Sequence, residues 1–362
     1  MTEGGSLLTE QPAAGLRDQS LDSLRGLAAL SIIFIHTVFW SGETYVPQAV
    51  RSLSLVLDVP FFFFLSGWGA GYVRSLKKSL MSLAGIYLKY LVFWCLYVAL
   101  LFSLWAVRGW DSGMSLFNLL GNLWFRIGAG TALPVVMGSI WFLPVYFTVL
   151  PLGSLLLWLA RRASKGDGRR LLVWTGAFLA LVLAGLVYTW AGGRIPLLSQ
   201  TTLFYLVFYL LGLLCWRTKI PCLSWTAGLI ALDLGAMVLL ARRLGSDIFQ
   251  MQDLKFPPAP VYLLFSLMTV IGALWLRGRL TGLSPSSPLC RIGRAALLFY
   301  FCQGIGASLL QRLAPRIHLA WYCKLPLAYC INLSITLVFV CLLSGAYRLV
   351  FRTLPAAIRR RS

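Results

Sequence analysis

The chain has 362 residues, of which 59% are hydrophobic and 12% are charged, and its mean hydropathy is +0.80. An ordinary soluble domain is excluded, because about a quarter of the residues in such domains are charged. The net charge of +21 comes from short Lys and Arg clusters between apolar runs, a pattern typical of membrane topology rather than of a nucleic-acid-binding face. We therefore expect an integral membrane protein that does not bind nucleic acid.

Ten apolar stretches are candidates for helices that cross a hydrocarbon core of about 30 Å. They lie at about 22–41, 51–73, 81–107, 136–160, 171–191, 201–216, 222–241, 258–276, 295–313 and 326–350. An even number of spans puts both termini on one side, and the loops of that side hold most of the Lys and Arg residues. The sequence thus predicts an all-α, polytopic membrane protein of about ten transmembrane helices with both termini cytosolic.

The positions of the predicted spans divide the chain into three parts. We expect a mobile cytosolic tail over residues 1–20, a single transmembrane domain over 21–350 and a basic cytosolic tail over 351–362. Within the domain, the Gly-containing basic tract 161–170 predicts a flexible cytosolic connection, because glycine and clustered charge interrupt a helical pattern.

The first predicted span carries three ionisable side chains, Asp22, Arg25 and His36. Eleven residues make about three turns of helix, so Arg25 and His36 point the same way, and Asp22 lies one turn before Arg25 on that face. Ionisable residues inside a membrane are costly and are functional candidates for that reason. Removal from water favours the neutral imidazole of His36, which suits a general base that takes a proton from a hydroxyl.

Each of these residues also has a purely structural interpretation, and the spacing does not choose between the two. His36 also fits a histidine at the membrane interface that bonds to a neighbouring helix. Arg25 also fits a cytosolic anchor, and Asp22 an N-terminal cap or a partner that only neutralises Arg25.

Two later stretches combine aromatic and small residues. The run Phe61–Phe64 leads into Ser66-Gly67-Trp68, whose small residues let helices approach closely or leave room for a narrow ligand. The stretch Ile140–Leu143 contains Trp141, which fits an interface or a core. No metal site is expected, because the eight cysteines lack metal-binding spacing and the chain has only two histidines.

Taken in order, these stretches resemble acyltransferase family 3, the integral-membrane O-acyltransferases that include acetylases of bacterial O-antigens, nodulation factors and some macrolides. The opening Leu21-Asp22-Ser23-Leu24-Arg25-Gly26 with His36 matches the family's LDxLRG pattern and its spaced Arg–His pair. Leu65-Ser66-Gly67-Trp68 resembles the end of its FFxLSG motif, and Ile140–Leu143 resembles its LWFL motif. Gln303 stands where the family often has a histidine.

The resemblance implies a reaction and its participants. It implies transfer of an acyl group, with acetyl favoured, from cytosolic acyl-CoA to a hydroxyl of a cell-surface glycan or its lipid-linked precursor. Arg25 would bind the donor phosphates with help from three neighbouring cations, Arg74, Lys77 and Lys78. His36 would either activate the hydroxyl or accept the acyl group itself, and Asp22 would complete the catalytic group.

The resemblance also implies a setting. The substrate contacts would come from Ser66, Trp68, Trp141 and Lys255, the last of these in a polar segment before the eighth span. The location would be the bacterial cytoplasmic membrane, with membrane lipid, acyl-CoA and a hydroxylated acceptor as partners and the oligomeric state left open.

A secondary transporter or flippase of a glycosyl-lipid or anionic substrate is the main alternative, with Arg25 and His36 as a coupling pair. A glycan polymerase or ligase would typically have a larger polar outer loop, and a purely structural protein gives no reason for three ionisable residues on one face. The three motifs in order favour the acyltransferase.

Overall fold

The computed structural model describes residues 17–73, 75–109, 116–125, 133–216 and 221–353. Within these ranges the chain forms α-helices, two short 3₁₀ helices and isolated β-bridges, which confirms the predicted all-α class. The helices are α1 (Gln19–Phe39), α2 (Gln48–Ser54), α3 (Val59–Tyr72), α4 (Leu76–Arg108), α5 (Leu116–Leu123), α6 (Pro134–Ser139), α7 (Phe142–Ser164), α8 (Gly168–Trp190), α9 (Gln200–Cys215), α10 (Leu223–Leu244), α11 (Pro260–Leu280), α12 (Pro288–Arg294), α13 (Ala296–Leu313) and α14 (Trp321–Thr353).

The number of spans depends on two unusual segments. Eight helical segments of the described chain are long and apolar enough to cross a membrane, and they include α2 with α3 and α6 with α7 as continuous spans. The pair α12 and α13, bent by 87°, makes a ninth if it counts as one broken span. The remaining predicted stretch is α9, an apolar helix of 16 residues. The polytopic fold is confirmed, and the cytosolic placement of the termini stays a prediction.

The tract 161–170 is not the flexible connection that its composition predicts. Helix α7 continues to Ser164 and α8 begins at Gly168, so only three residues connect the two helices. Gly166 has a φ of +88°, which a residue without a Cβ adopts easily, and Asp167 caps α8 by accepting the N–H of Arg169 at 2.8 Å. The prediction was wrong because the residues that break a helix here end one helix and start the next.

The described residues pack into two compact units. Unit 1 comprises the described parts of Met1–Ala28, Leu55–Ser79 and Thr148–Arg294. Unit 2 comprises those of Ala29–Ser54, Leu80–Phe147 and Ala295–Ser362. The prediction of a single transmembrane domain over 21–350 stays a prediction.

Unit 1 is centred on the crossing of α3 and α9. A Cβ on Gly67 would collide with the carbonyl oxygen of Tyr209, and one on Gly212 would collide with the carbonyl oxygen of Phe64. Glycine on both helices therefore lets their backbones touch, as in close helix pairs of membrane proteins. Eleven of the 16 residues of α9 are buried, so this short apolar helix is largely enclosed by protein.

Unit 2 is centred on α13, which packs against α14 and α6. Gly306 of α13 faces the side chains of Asn332 and Thr336, where a Cβ would have no room. Gly304 lies in the same way against Val136 and Ser139 of α6. The second half of α1 belongs to this unit and lies along α14.

Candidate active site

The first turn of α1 is capped by Asp18, a residue that the sequence motifs do not single out. Its Oδ1 accepts the N–H of Leu21 at 3.1 Å and the hydroxyl of Ser20 at 2.5 Å, and its Oδ2 accepts the hydroxyl of Tyr72 at 2.7 Å. Burial opposes ionisation of this carboxyl, but the hydrogen bonds from Ser20, Tyr72 and Leu21 and the charge of Arg277 outweigh it and lower its pKa. The start of α1 is thereby tied to the end of α3.

Asp22 pairs with two arginines and is not the cap. Its carboxylate accepts two hydrogen bonds from the Arg17 guanidinium, at 2.5 and 3.0 Å, and lies 3.7 Å from Nη1 of Arg25. The carboxylate is buried, whereas the Arg25 side chain is one-third exposed. Asp22 thus holds two cations at the beginning of α1 while leaving part of Arg25 accessible.

Glycines set the position of Arg25. Its guanidinium lies so close to Gly69 of α3 that a Cβ there would be 2.7 Å from Nη2. On another side of α1, Gly26 touches the backbone of Leu289, and Gly293 of α12 touches the carbonyl of Asp22. The small residues after the phenylalanine run therefore leave room for Arg25 and for the neighbouring helix α9.

Two further arginines lie around the end of α3. Arg161 of α7 donates to the carbonyl oxygens of Val73 at 2.5 Å and Gly71 at 2.9 Å, so it satisfies acceptors that the end of the helix leaves open. The guanidinium of Arg277, in the last turn of α11, lies 4.7 Å from the ring centre of the buried Trp68. Trp68, a predicted substrate contact, is thus a core residue that carries a cation on its face.

We call Arg17, Arg25, Arg161 and Arg277 the arginine cluster. Of these four residues, only Arg25 was predicted from the sequence as a functional residue; the other three count among the Lys and Arg residues of the predicted cytosolic loops. The signal that could have found them is their position at the ends of predicted spans on the same side as Arg25. Chemically, such a cluster is suited to a ligand with several negative charges.

The remaining predicted donor contacts are placed as follows. Lys77 and Lys78 lie exposed in the first turn of α4, whereas Arg74 lies outside the described residues. Ser66 is half-buried on α3, two residues before Trp68. Their roles stay predictions.

His36 lies in the last turn of α1, within unit 2, and is half-buried. The helix is continuous from Gln19 to Phe39, so His36 is about 16 Å along the axis from Arg25. Around it, Asn332 of α14 donates to the hydroxyl of Thr37 at 3.0 Å and to the carbonyl of Ile33 at 3.4 Å. The turn that carries His36 is thus held by hydrogen bonds from a buried amide.

Lys255 is not near the arginine cluster. It precedes α11, whereas Arg277 ends that helix, so about 25 Å of helix separates them. Its Nζ lies 2.6 Å from Oδ2 of Asp58, and both side chains are almost wholly buried. The hydroxyl of Tyr262 donates to the same oxygen at 2.7 Å. This pairing gives Lys255 a structural role, and its substrate role stays a prediction.

Two other residues singled out by the motifs lie in unit 2. Trp141 is half-buried in the turn between α6 and α7. Gln303 is completely buried on α13, and its amide atoms have no hydrogen-bond partner among the described residues. One turn before it, Tyr300 donates to the carbonyl of Ser139. The motifs single out Trp141 and Gln303, but they do not predict how deeply these side chains are buried or what surrounds them.

Comparison with known protein families identifies a family for this chain. The model of the family described as an acyltransferase domain, acyltransferase family 3, matches residues 18–345, which is nearly the whole chain. No curated protein sequence and no solved structure matches this chain significantly. The match begins at the capping residue Asp18 and extends into α14, so it includes the arginine cluster except Arg17, together with His36.

Proposed function

This chain belongs to acyltransferase family 3, and from that premise we propose that it transfers an acetyl group from cytosolic acetyl-CoA to a hydroxyl of a cell-surface glycan or its lipid-linked precursor. Membership establishes a membrane acyltransferase. The donor, the acceptor, the general base and the bacterial cytoplasmic membrane as location belong to the proposal.

The observation that carries the proposal is the arginine cluster at the start of the helix that bears His36. Coenzyme A has three phosphate groups, and guanidinium groups bind phosphate through paired hydrogen bonds. Arg25 is the central member, because Asp22 and Gly69 orient its guanidinium while a third of the side chain stays exposed. Lys77, Lys78 and Arg74 are the additional donor contacts that we propose.

His36 supplies the proton chemistry of the proposed reaction. As a base it takes the proton from the acceptor hydroxyl while the oxygen attacks the thioester carbonyl; the carbon–sulfur bond breaks and coenzyme A leaves as a thiol after gaining the proton. As a nucleophile it forms an acyl-imidazole first and passes the acyl group to the hydroxyl. Ser66, Trp68, Trp141 and Lys255 remain proposed substrate contacts.

Replacement of His36 tests the proposal most directly. We expect purified His36→Ala protein in nanodiscs to lose transfer of radiolabelled acetyl from acetyl-CoA to a panel of hydroxylated glycans, because no group then accepts the hydroxyl proton. His318→Ala is the matched control, since His318 is exposed in the loop before α14. Substantial transfer by folded His36→Ala protein would contradict the role of His36. Absence of acetyl-CoA binding and transfer in folded wild-type protein would favour the transporter.

Arg25→Lys tests donor binding. Lysine keeps the charge but lacks the planar fork, so we expect the KM for acetyl-CoA to rise about tenfold, equivalent to about 1.4 kcal/mol. Arg243→Lys, an exposed arginine at the end of α10, is the control. An unchanged dependence of rate on acetyl-CoA concentration would refute the assignment of Arg25.

A single-turnover experiment separates the two roles of His36. If His36 is acylated, protein mixed with radiolabelled acetyl-CoA in the absence of acceptor keeps bound label, and acceptor added afterwards removes it. If His36 acts as a base, the protein stays unlabelled while transfer with acceptor proceeds in one step.

A further inference from the structure

Unit 1 contains an apolar groove that the proposed reaction does not use. A cavity of about 420 Å³ lies between α1, α10 and α11, and all of its lining residues belong to unit 1. We call it the lateral groove and define it by Leu24, Leu27, Ala227, Ile230, Gly272 and Leu276. A Cβ on Gly272 would meet no atom within 4 Å, so the space continues to the backbone of α11.

The lining of the lateral groove is suited to hydrocarbon. Besides aliphatic and aromatic side chains it contains Thr226 and Thr269, and both hydroxyls already donate to backbone carbonyls, those of Cys222 and Val56. Almost none of the surface that the lining presents to the cavity is polar, so a ligand that inserted hydroxyl, amide or phosphate groups here would lose their hydration without gaining hydrogen bonds. The inserted part of the ligand must therefore be an alkyl chain.

A cation lies beside the groove. Trp275 is a lining residue, and the guanidinium of Arg279 lies 4.0 Å from its ring centre. A guanidinium carries five N–H donors in a planar fork that suits a phosphate. Arg279 itself is exposed, in the last turn of α11. The groove thus combines an apolar slot with a phosphate-binding group at one side.

The geometry favours a bilayer lipid over the acyl group in transfer. Leu223 and Ala227 of α10 are exposed, so the groove opens along a helix whose outer surface is apolar and faces hydrocarbon in the membrane. The lining residues of α10, from Leu223 to Ile230, cover about 10 Å of helix, a third of the hydrocarbon core and much longer than an acetyl group. The Arg25 guanidinium lies against Gly69, which is not a lining residue.

We propose that the lateral groove binds one acyl chain of an anionic phospholipid of the bilayer, whose phosphate is held by Arg279. The ligand is a resident lipid that supports unit 1 and is not consumed in the transfer reaction. The proposal is independent of the chemistry assigned to Arg25 and His36.

The test uses full-length protein in nanodiscs that contain phosphatidylglycerol or phosphatidylcholine with a photoactivatable diazirine in one acyl chain. In wild-type protein we expect cross-links concentrated on the lining positions of α10 and α11, and several-fold more of them with phosphatidylglycerol. This arm requires no substitution. Cross-links spread evenly over the outer face of α10, without a headgroup preference, would overturn the proposal.

Two variants test the site of the acyl chain and the site of the phosphate headgroup separately. Native mass spectrometry after detergent exchange counts the lipid that the protein retains. We expect Gly272→Leu to fill the groove and reduce retained phosphatidylglycerol about tenfold, and Arg279→Gln to reduce it about tenfold while leaving phosphatidylcholine unchanged. Gly235→Leu and Arg243→Gln are the matched controls, outside the groove, and should retain lipid like wild type.

Three results would overturn the proposal: undiminished phosphatidylglycerol in folded Gly272→Leu protein, equal loss in the controls, or a long-chain acyl-CoA as the molecule retained by wild type. The last result would make the groove part of the donor site. Acetyl transfer assayed in the same preparations keeps a failure of this proposal distinct from a failure of the proposed reaction.

Discussion

Each unit of the molecule contains a cluster of buried polar residues, and the two clusters are of different kinds. Unit 1 buries charges, the carboxylate of Asp58 and the ammonium of Lys255, and Tyr262 donates to the same carboxylate oxygen. The cluster of unit 2 consists of neutral groups, the amide of Asn332 with the hydroxyls of Thr37 and Thr336, and all three residues are inaccessible. A buried charge of this unit, Lys324, lies elsewhere, against Glu43. Both arrangements join residues far apart in the chain.

The two clusters differ in the effect on stability of removing one of their side chains. A buried ion pair is stable because each charge neutralises the other, so loss of one partner leaves a charge in an environment that opposes it. A neutral network loses only a hydrogen bond, and in membrane proteins such bonds contribute about 0.6 kcal/mol on average. We therefore expect the Asp58–Lys255 cluster of unit 1 to be more sensitive than the Asn332 cluster of unit 2 to single polar substitutions.

Asp58→Ala should produce the largest effect. We expect it to lower the free energy of unfolding by about 3–5 kcal/mol, because the Lys255 ammonium stays buried without its carboxylate. Denaturant or thermal unfolding in detergent measures this. The double variant Asp58→Ala/Lys255→Met should recover most of the loss, since an apolar side chain then replaces the pair. A double variant as unstable as Asp58→Ala would show that the charge is not the cause.

Asn332→Ala should have a smaller effect on stability, about 1–2 kcal/mol, because it removes hydrogen bonds between neutral groups and leaves the Ile33 carbonyl and Thr37 hydroxyl without this donor. The same unfolding assay applies, with Cys341→Ala on the exposed side of α14 as control. A loss equal to that of Asp58→Ala would contradict the expected difference between the charged and the neutral cluster.

The smallest effect concerns Asp18, a charge of unit 1 near the helix end rather than deep in the core. Its pKa is lowered on folding, so its contribution to stability is fully present above the ordinary value of 3.8 and is lost as the pH falls through the lower, folded value. Asp18→Asn keeps an acceptor for the first turn of α1 but removes this titration. We expect wild type to exceed the variant in unfolding midpoint at pH 7, by a margin that shrinks below pH 4. A margin that grows on acidification would contradict this sign.

Much of the fold follows from one-dimensional patterns. Eight of the ten predicted stretches fall on one helix, and the stretches 51–73 and 136–160 each fall on two consecutive α-helices, because apolar length alone decides whether a segment can cross hydrocarbon. The sixth stretch, short for a span, is α9, whose small residue Gly212 and apolar surroundings place it inside unit 1. The turn at 161–170 was mistaken for a flexible segment because composition does not reveal capping geometry.

The candidate site was only partly predictable. The face shared by Asp22, Arg25 and His36 follows from helical spacing, and the structure preserves it on one continuous helix. The partners of Asp22 and Lys255 did not follow, since Asp58 is about two hundred residues from Lys255 in the sequence and no local pattern connects them. Such pairings depend on tertiary packing, which a single sequence does not display.

The shortness of α9 affects how the protein is made. Its 16 residues cover about 24 Å, less than a hydrocarbon core of about 30 Å, so α9 alone would leave polar backbone groups at its ends within the lipid. The preceding α8, of 23 residues, packs along it and reaches the membrane first during synthesis. We therefore expect α8 and α9 to enter the bilayer together as a helical hairpin during synthesis, because the longer α8 inserts first and packs against the shorter α9.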